Sequence, residues 1–123
     1  MEKKCYSIAV VDDDDLFRRT TSNVLERKMQ QDVLSFESGE EAFDHLEKLN
    51  GIDVILSDIN MPGMNGLEFL EKVKQKYPQK ICILMSGYPG NEQTAIKRGA
   101  DGYISKPFSM RKLSDLMETL DIQ

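Results

Sequence analysis

Five short apolar runs alternate with five longer segments of helical period, and that alternation restricts the fold more than any other feature of the chain. The runs are Ser7 to Val11, Val33 to Phe36, Ile52 to Leu56, Ile81 to Met85 and a weaker Tyr103 to Ser105. Runs that are apolar at nearly every position suit strands buried on both faces, as in a parallel sheet covered by helices. The segments between them carry helical stripes. Leu16, Phe17, Val24 and Leu25 mark one face of the first helix. Ala42, Phe43, Leu46 and Leu49 mark the second, which opens on Ser38-Gly-Glu-Glu41, a capping-box spacing. Leu67, Leu70, Val73 and Tyr77 mark the third, started by Asn65 and stopped by Pro78. The fourth, about Asn91 to Arg98, has only Ala95 and Ile96 to bury. The fifth, after Ser109, has Leu113, Leu116, Met117 and Leu120 at i, i+3, i+4, i+7.

This pattern predicts a (βα)5 doubly wound α/β domain over residues 1–123, without repeat or linker. Right-handed crossovers leave few topologies, and the common five-stranded one has the flavodoxin-like order 2-1-3-4-5. A length of 123 residues suits one such domain. Sixteen Lys and Arg against 21 Asp and Glu give a net charge of −5, which argues against a direct nucleic-acid partner. No apolar run is long enough for a membrane span or a secretory signal, so the expected location is cytoplasmic. Cys5 and Cys82 are too few for a disulfide framework and read as small strand residues.

The polar groups that interrupt the pattern fall just after strands: Asp12 to Asp15 after the first, Asp58 at the end of the third, Ser86 after the fourth, Lys106 after the fifth. Ligands of open α/β sheets bind at the carboxyl edge near the topological switch point. With order 2-1-3-4-5, Asp12 and Asp13 stand there beside Asp58, flanked by the Ser86 hydroxyl and the Lys106 ammonium. Crowded carboxylates stay ionised only beside a compensating cation. Oxygen-only ligands on a shallow edge suit Mg²⁺. A calcium loop fits poorly, because Leu16 and Pro62 fall where its third oxygen ligand belongs. Metal and lysine neutralising charge while a carboxylate attacks is a set suited to phosphoryl transfer onto an aspartate.

At these residues the chain resembles the receiver domains of two-component response regulators. Five blocks in order carry the resemblance: Val10-Val-Asp-Asp-Asp14, Asp58-Ile-Asn-Met-Pro-Gly-Met-Asn-Gly66, Met85-Ser-Gly87, Gly99-Ala-Asp-Gly-Tyr103 and Lys106-Pro-Phe108. The resemblance implies that Asp58 accepts a phosphoryl group from a sensor histidine kinase or a phosphotransfer protein. It also implies a Mg²⁺ site of Asp12, Asp13, Asp58 and the Asn60 backbone carbonyl, with Asp13 the direct ligand of the acidic pair. Ser86 and Lys106 take the family's hydroxyl and lysine positions, and Tyr103 that of its switch aromatic. Asn60 and Tyr88 occupy the positions that tune dephosphorylation, and Lys106–Pro107 is expected to be cis. Phosphorylation is expected to turn Ser86, admit Tyr103 and shift the weak fourth helix. The surface of the fourth helix, fifth strand and fifth helix would then meet a downstream protein or a missing output domain. No output domain is expected within the chain, which reads either as a stand-alone chemotaxis-type regulator or as a receiver cut from a larger protein. Ser86 replaces the commoner Thr, and Asp15 stands where many receivers have Pro. Leu116 stands where receivers of winged-helix transcription factors have an Arg used in their symmetric dimer.

Each residue also has a plainer reading. Asp12 to Asp15 could simply be acids favoured by a helix N-terminus, Pro62, Gly63 and Gly66 a turn, Ser86 a local backbone partner. His45 reads as a surface residue. Between Thr94 and Lys112, five cations face only Asp101, which suggests a basic face for an acidic partner. A rival activity is a haloacid-dehalogenase-type phosphatase using Asp12-x-Asp14, although Leu16 occupies the position where that family has Thr or Val.

Overall fold

The computed structural model describes residues 6–48, 51–88 and 90–120. The strands are β1 (Ser7–Val11), β2 (Asp32–Phe36), β3 (Val54–Asp58), β4 (Ile81–Ser86) and β5 (Gly102–Ser105). The helices are α1 (Asp15–Asn23), α2 (Gly39–Lys48), α3 (Gly66–Lys76), α4 (Asn91–Lys97) and α5 (Met110–Thr119). All strand pairs are parallel, in the order β2-β1-β3-β4-β5, as the alternation predicts.

Residue alternation divides the core into two layers. On one face Ala9, Val11, Ile55, Cys82 and Leu84 pack with Ala42, Leu46, Phe69, Leu70, Val73 and Ala95 from α2, α3 and α4. On the other, Ile8, Val10, Leu56, Ile83 and Met85 pack with Leu25, Leu113 and Met117. Cys82 is buried and its thiol is pushed up to about 12, chiefly by burial, so it behaves as a small core residue. Cys5 and Leu49 lie outside the described residues.

Four details depart from the sequence pattern. The third strand starts and ends two residues later than its apolar run. Asp53 is drawn instead into bonds with Ser7, its N–H and carboxylate engaging the Ser7 carbonyl and N–H, while Asp58 pairs with Met85 in the ladder. Leu16 is 76% exposed, whereas Arg18 is buried. The buried positions are Arg18, Thr21, Ser22 and Leu25, a regular i, i+3, i+4, i+7 stripe that begins two residues after Leu16, and a π-helical turn, Val24–Lys28, follows α1. Ile96 of α4 is 48% exposed, leaving Ala95 as the buried residue of that helix. His45 is half-buried rather than on the surface, its ring 5.1 Å from that of Phe36 and its Nε2 buried without a hydrogen-bond partner.

Candidate functional site

The carboxyl ends of β1, β3, β4 and β5 bring together the residues singled out in the sequence. Asp12 follows β1 directly and is fully buried. Its Oδ1 accepts from the Asp14 N–H at 3.0 Å and its Oδ2 from Lys106 Nζ at 2.7 Å. Asp14 caps α1 by accepting from the Phe17 N–H. The Asp12-x-Asp14 pair is therefore occupied in building the turn, with no carboxylate oxygen of Asp12 exposed as a phosphatase nucleophile. Asp13 is exposed. Carboxylate oxygens of Asp12, Asp13 and Asp58 lie within 4.8 Å of one another.

Asp58 ends β3 in a position shaped by the loop that follows. Gly66 comes so close that a Cβ there would sit 2.1 Å from the Asp58 carbonyl oxygen, and its N–H donates to Ile59 O at 2.8 Å. Gly66 is thus required by close approach, beyond the turn role that its surroundings suggest. Asn65 then starts α3 with a complete capping box: its side chain accepts from the Glu68 N–H, and the Glu68 carboxylate accepts from the Asn65 N–H. The loop and helix hold the end of β3 at Asp58 from one side.

Lys106 reaches in from the end of β5, 2.7 Å from Asp12 and 3.3 Å from Asp58. The cis Lys106–Pro107 bond follows it, as expected from the sequence. Burial opposes the Lys106 charge, but the hydrogen bond and charge of Asp12, with Asp58 behind it, outweigh that and raise its pKa. Burial pushes the Asp58 carboxyl above the usual carboxylate range against the pull of Lys106, and the charges of Asp12 and Asp13 push it the same way. An added cation beside these three acids would reverse that pressure.

Ser86, at the end of β4, is buried. Its Oγ accepts from the Tyr88 N–H at 3.1 Å and from Asn91 Nδ2 at 2.9 Å, and faces Asn60 Oδ1 at 3.4 Å. Its contacts therefore extend past the local backbone to the β3 loop and α4. Tyr103, beside β4 on β5, packs on the α3–α4 side of the core and donates from its hydroxyl to the Ser86 carbonyl at 3.5 Å. Tyr88 is 63% exposed, at the open mouth of the site.

Two contributors were not legible as such. Arg18 donates to the Asp12 carbonyl at 2.8 Å and pairs with Asp15, lowering the Asp15 pKa through that hydrogen bond. The i,i+3 spacing of Asp15 and Arg18 was the available signal. Phe17 lies beneath the lysine, its ring centroid 4.3 Å from Lys106 Nζ and 5.4 Å from the Phe108 ring. The basic stretch loses much of its free charge: Lys106 enters the site, and Arg98 pairs with Glu71 of α3 at 2.8 Å. Lys97, Arg111 and Lys112 keep it locally basic.

The model of the response regulator receiver domain family matches residues 8–118. Over 115 residues the chain is 40% identical to a chemotaxis protein CheY homologue of Campylobacter jejuni, covering 90% of this chain and 88% of that protein. Over 117 residues it is 37% identical to chemotaxis protein CheY1 of Helicobacter pylori, covering 92% and 94%. Chemotaxis protein CheY4 of Vibrio cholerae superposes with a TM-score of 0.84 at 28% identity, covering 94% of this chain and 98% of that one.

Proposed function

Because this chain belongs to the response regulator receiver domains, signalling modules controlled by phosphorylation, we propose that Asp58 is its phosphoacceptor and that residues 1–123 act as one receiver unit. The observation that carries this reading is a lysine ammonium 3.3 Å from a buried, otherwise disfavoured carboxylate, with a buried hydroxyl on the neighbouring strand.

A carboxylate oxygen of Asp58 attacks the phosphorus of a phosphohistidine on a histidine kinase or phosphotransfer protein. The P–O bond forms as the P–N bond breaks, and the imidazole leaves and takes up a proton. Lys106 holds the acceptor and the developing phosphoryl charge, while Asp12 keeps that lysine in place. Ser86 donates to a phosphoryl oxygen. The all-oxygen donor set fits Mg²⁺: Asp13, Asp58, Asp12 and the Asn60 backbone carbonyl would hold it. Bound there, it supplies positive charge to the phosphoryl oxygens. Asn60 and Tyr88, on either side of the Ser86 hydroxyl, set how readily water reaches the phosphorus. When water attacks, the P–O bond to Asp58 breaks and the carboxylate returns, so the chain is a phosphoacceptor rather than a turnover enzyme. Movement of Ser86 and Tyr103 carries the change to the α4-β5-α5 face, which meets a downstream protein or an output domain, not nucleic acid. No described helix is long and apolar enough to cross a membrane.

Intact-mass measurement after incubation with Mg²⁺ and acetyl phosphate tests this. The expected result is one added phosphoryl group on the parent and none on Asp58→Asn, with p-nitrophenyl phosphate turnover at background. A folded parent that gains nothing, or an Asp58→Asn protein that labels equally, overturns it.

A further inference from the structure

We propose that Asn91, the first residue of α4, is a positioning residue for the phosphoacceptor site: its amide latches the Ser86 hydroxyl in the resting arrangement, so that phosphoryl binding and release of the start of α4 are one event. This rests on the reading of Asp58 as phosphoacceptor.

A serine hydroxyl has one hydrogen to donate and two lone pairs to accept with. In Ser86 all three are taken, by Asn60 Oδ1, the Tyr88 N–H and Asn91 Nδ2. The residue is buried, so water is not available to replace a lost partner. A phosphoryl oxygen only accepts. To bind it, the Ser86 hydrogen must leave Asn60, its longest contact at 3.4 Å, and turning the O–H re-aims both lone pairs. The Tyr88 donor, at 3.1 Å, is a backbone N–H two residues along the same chain, fixed in place beside Ser86. The Asn91 donor, at 2.9 Å, comes from a different element and is the one that must yield.

That element is held unequally at its two ends. Gly90 precedes it at φ 91° and has no side chain with which to cap it. Its buried anchor, Ala95, lies one turn further on. Beyond its far end, Arg98 pairs with Glu71, and the Asp101 carboxylate accepts from Lys74 Nζ at 2.7 Å and from the Cys82 N–H at 2.8 Å. Breaking the Asn91 bond therefore frees the first turn of α4 while its other end stays tied to α3 and β4.

Titration of the full chain with beryllofluoride and Mg²⁺ tests the latch in five proteins: the parent, Asn91→Ala, Asn91→Leu, Ser86→Ala and the Ser86→Ala/Asn91→Ala double variant. Alanine and leucine are both better helix formers than asparagine, so the fold is kept, and leucine keeps the volume without the donor. Loss of one net hydrogen bond from the resting state is expected to tighten beryllofluoride binding about two- to tenfold in both Asn91 variants. In the Ser86→Ala background the same Asn91 substitution is expected to change nothing, which separates the latch from a general effect on the helix. Unchanged or weaker binding by the Asn91 variants overturns the latch, as does an equal gain without Ser86. A folded parent that takes up no beryllofluoride instead overturns the phosphoacceptor reading, and the latch with it.

Discussion

Helices α3 and α4 each follow a strand whose last residue belongs to the site, yet they are built to opposite specifications. The α3 helix follows Asp58 through a loop closed by Gly66, starts with a reciprocal capping box, and buries Phe69, Leu70 and Val73 over 11 residues. The α4 helix follows Ser86, starts at an uncapped glycine, and buries Ala95 over seven residues. The difference teaches where such a site can store a response. On the reading of Asp58 as phosphoacceptor, the reacting carboxylate needs fixed geometry, and Asp58 stands on the well-packed side. On the proposed reading, a surface that changes with the chemistry should come from a weakly held element, and α4, uncapped and with one buried residue, is built as such.

The comparison breaks most readily at its apolar anchors. Phe69→Ala is expected to cost about 3–5 kcal/mol in a urea unfolding series, whereas Ile96→Ala stays within about 0.5 kcal/mol of the parent. Similar losses at the two positions would mean that α4 is as firmly packed as α3. Next in size is the cap: Asn65→Ala removes one half of the box and is expected to cost about 1 kcal/mol, with faster amide exchange confined to the first turn of α3. Exchange that quickens equally in α4 would show that the two helices open as one unit.

The charge at the rigid side supplies a third comparison. Burial raises the Asp58 pKa in the folded state, so the folded chain disfavours the ionised form that prevails at neutral pH. In chelator at pH 7, Asp58→Asn is therefore expected to melt above the parent. The gap should close as pH falls through the raised Asp58 pKa, where the parent carboxyl becomes neutral as well. A gap that widens on acidification would contradict the direction assigned to Asp58. The smallest effect belongs to Arg98→Ala. The Arg98–Glu71 pair is nearly half-exposed and is worth at most about 1 kcal/mol. Its loss should instead extend the beryllofluoride-induced exchange changes from the first turn of α4 towards residue 98. If those changes stay where they are in the parent, the far end is held by Asp101 and Lys74 alone.

Much of this contrast is readable along the chain. Asn65 before Glu68, Pro78 after a helical stripe, and a fourth segment with two apolar residues all announce one strong helix and one weak one. The carboxylates could be grouped because strand order puts the ends of β1 and β3 side by side. The exposure of Ile96 could not be read, since Ala95 and Ile96 are equally apolar and neighbours point 100° apart on a helix. Nor could the burial of Arg18: the apolar stripe names Leu16, and the Asp12 carbonyl at the end of β1, together with the Asp15 carboxylate, makes a buried guanidinium favourable there.

The sequence by itself determined the five strands and five helices, the parallel sheet and the gathering of Asp12, Asp13, Asp58, Ser86 and Lys106 at one edge. These follow from periodicity and chain order, which are local or nearly so. Only the tertiary structure decided how the groups are joined: Lys106 bridging Asp12 and Asp58 over the Phe17 ring, the Ser86 hydroxyl enclosed by Asn60, Tyr88 and Asn91, and His45 turned against Phe36. The physical reason is reach. A hydrogen bond or ring contact depends on ångström-scale placement of atoms from separate elements, and that placement is set by the packing of the whole sheet and its helices.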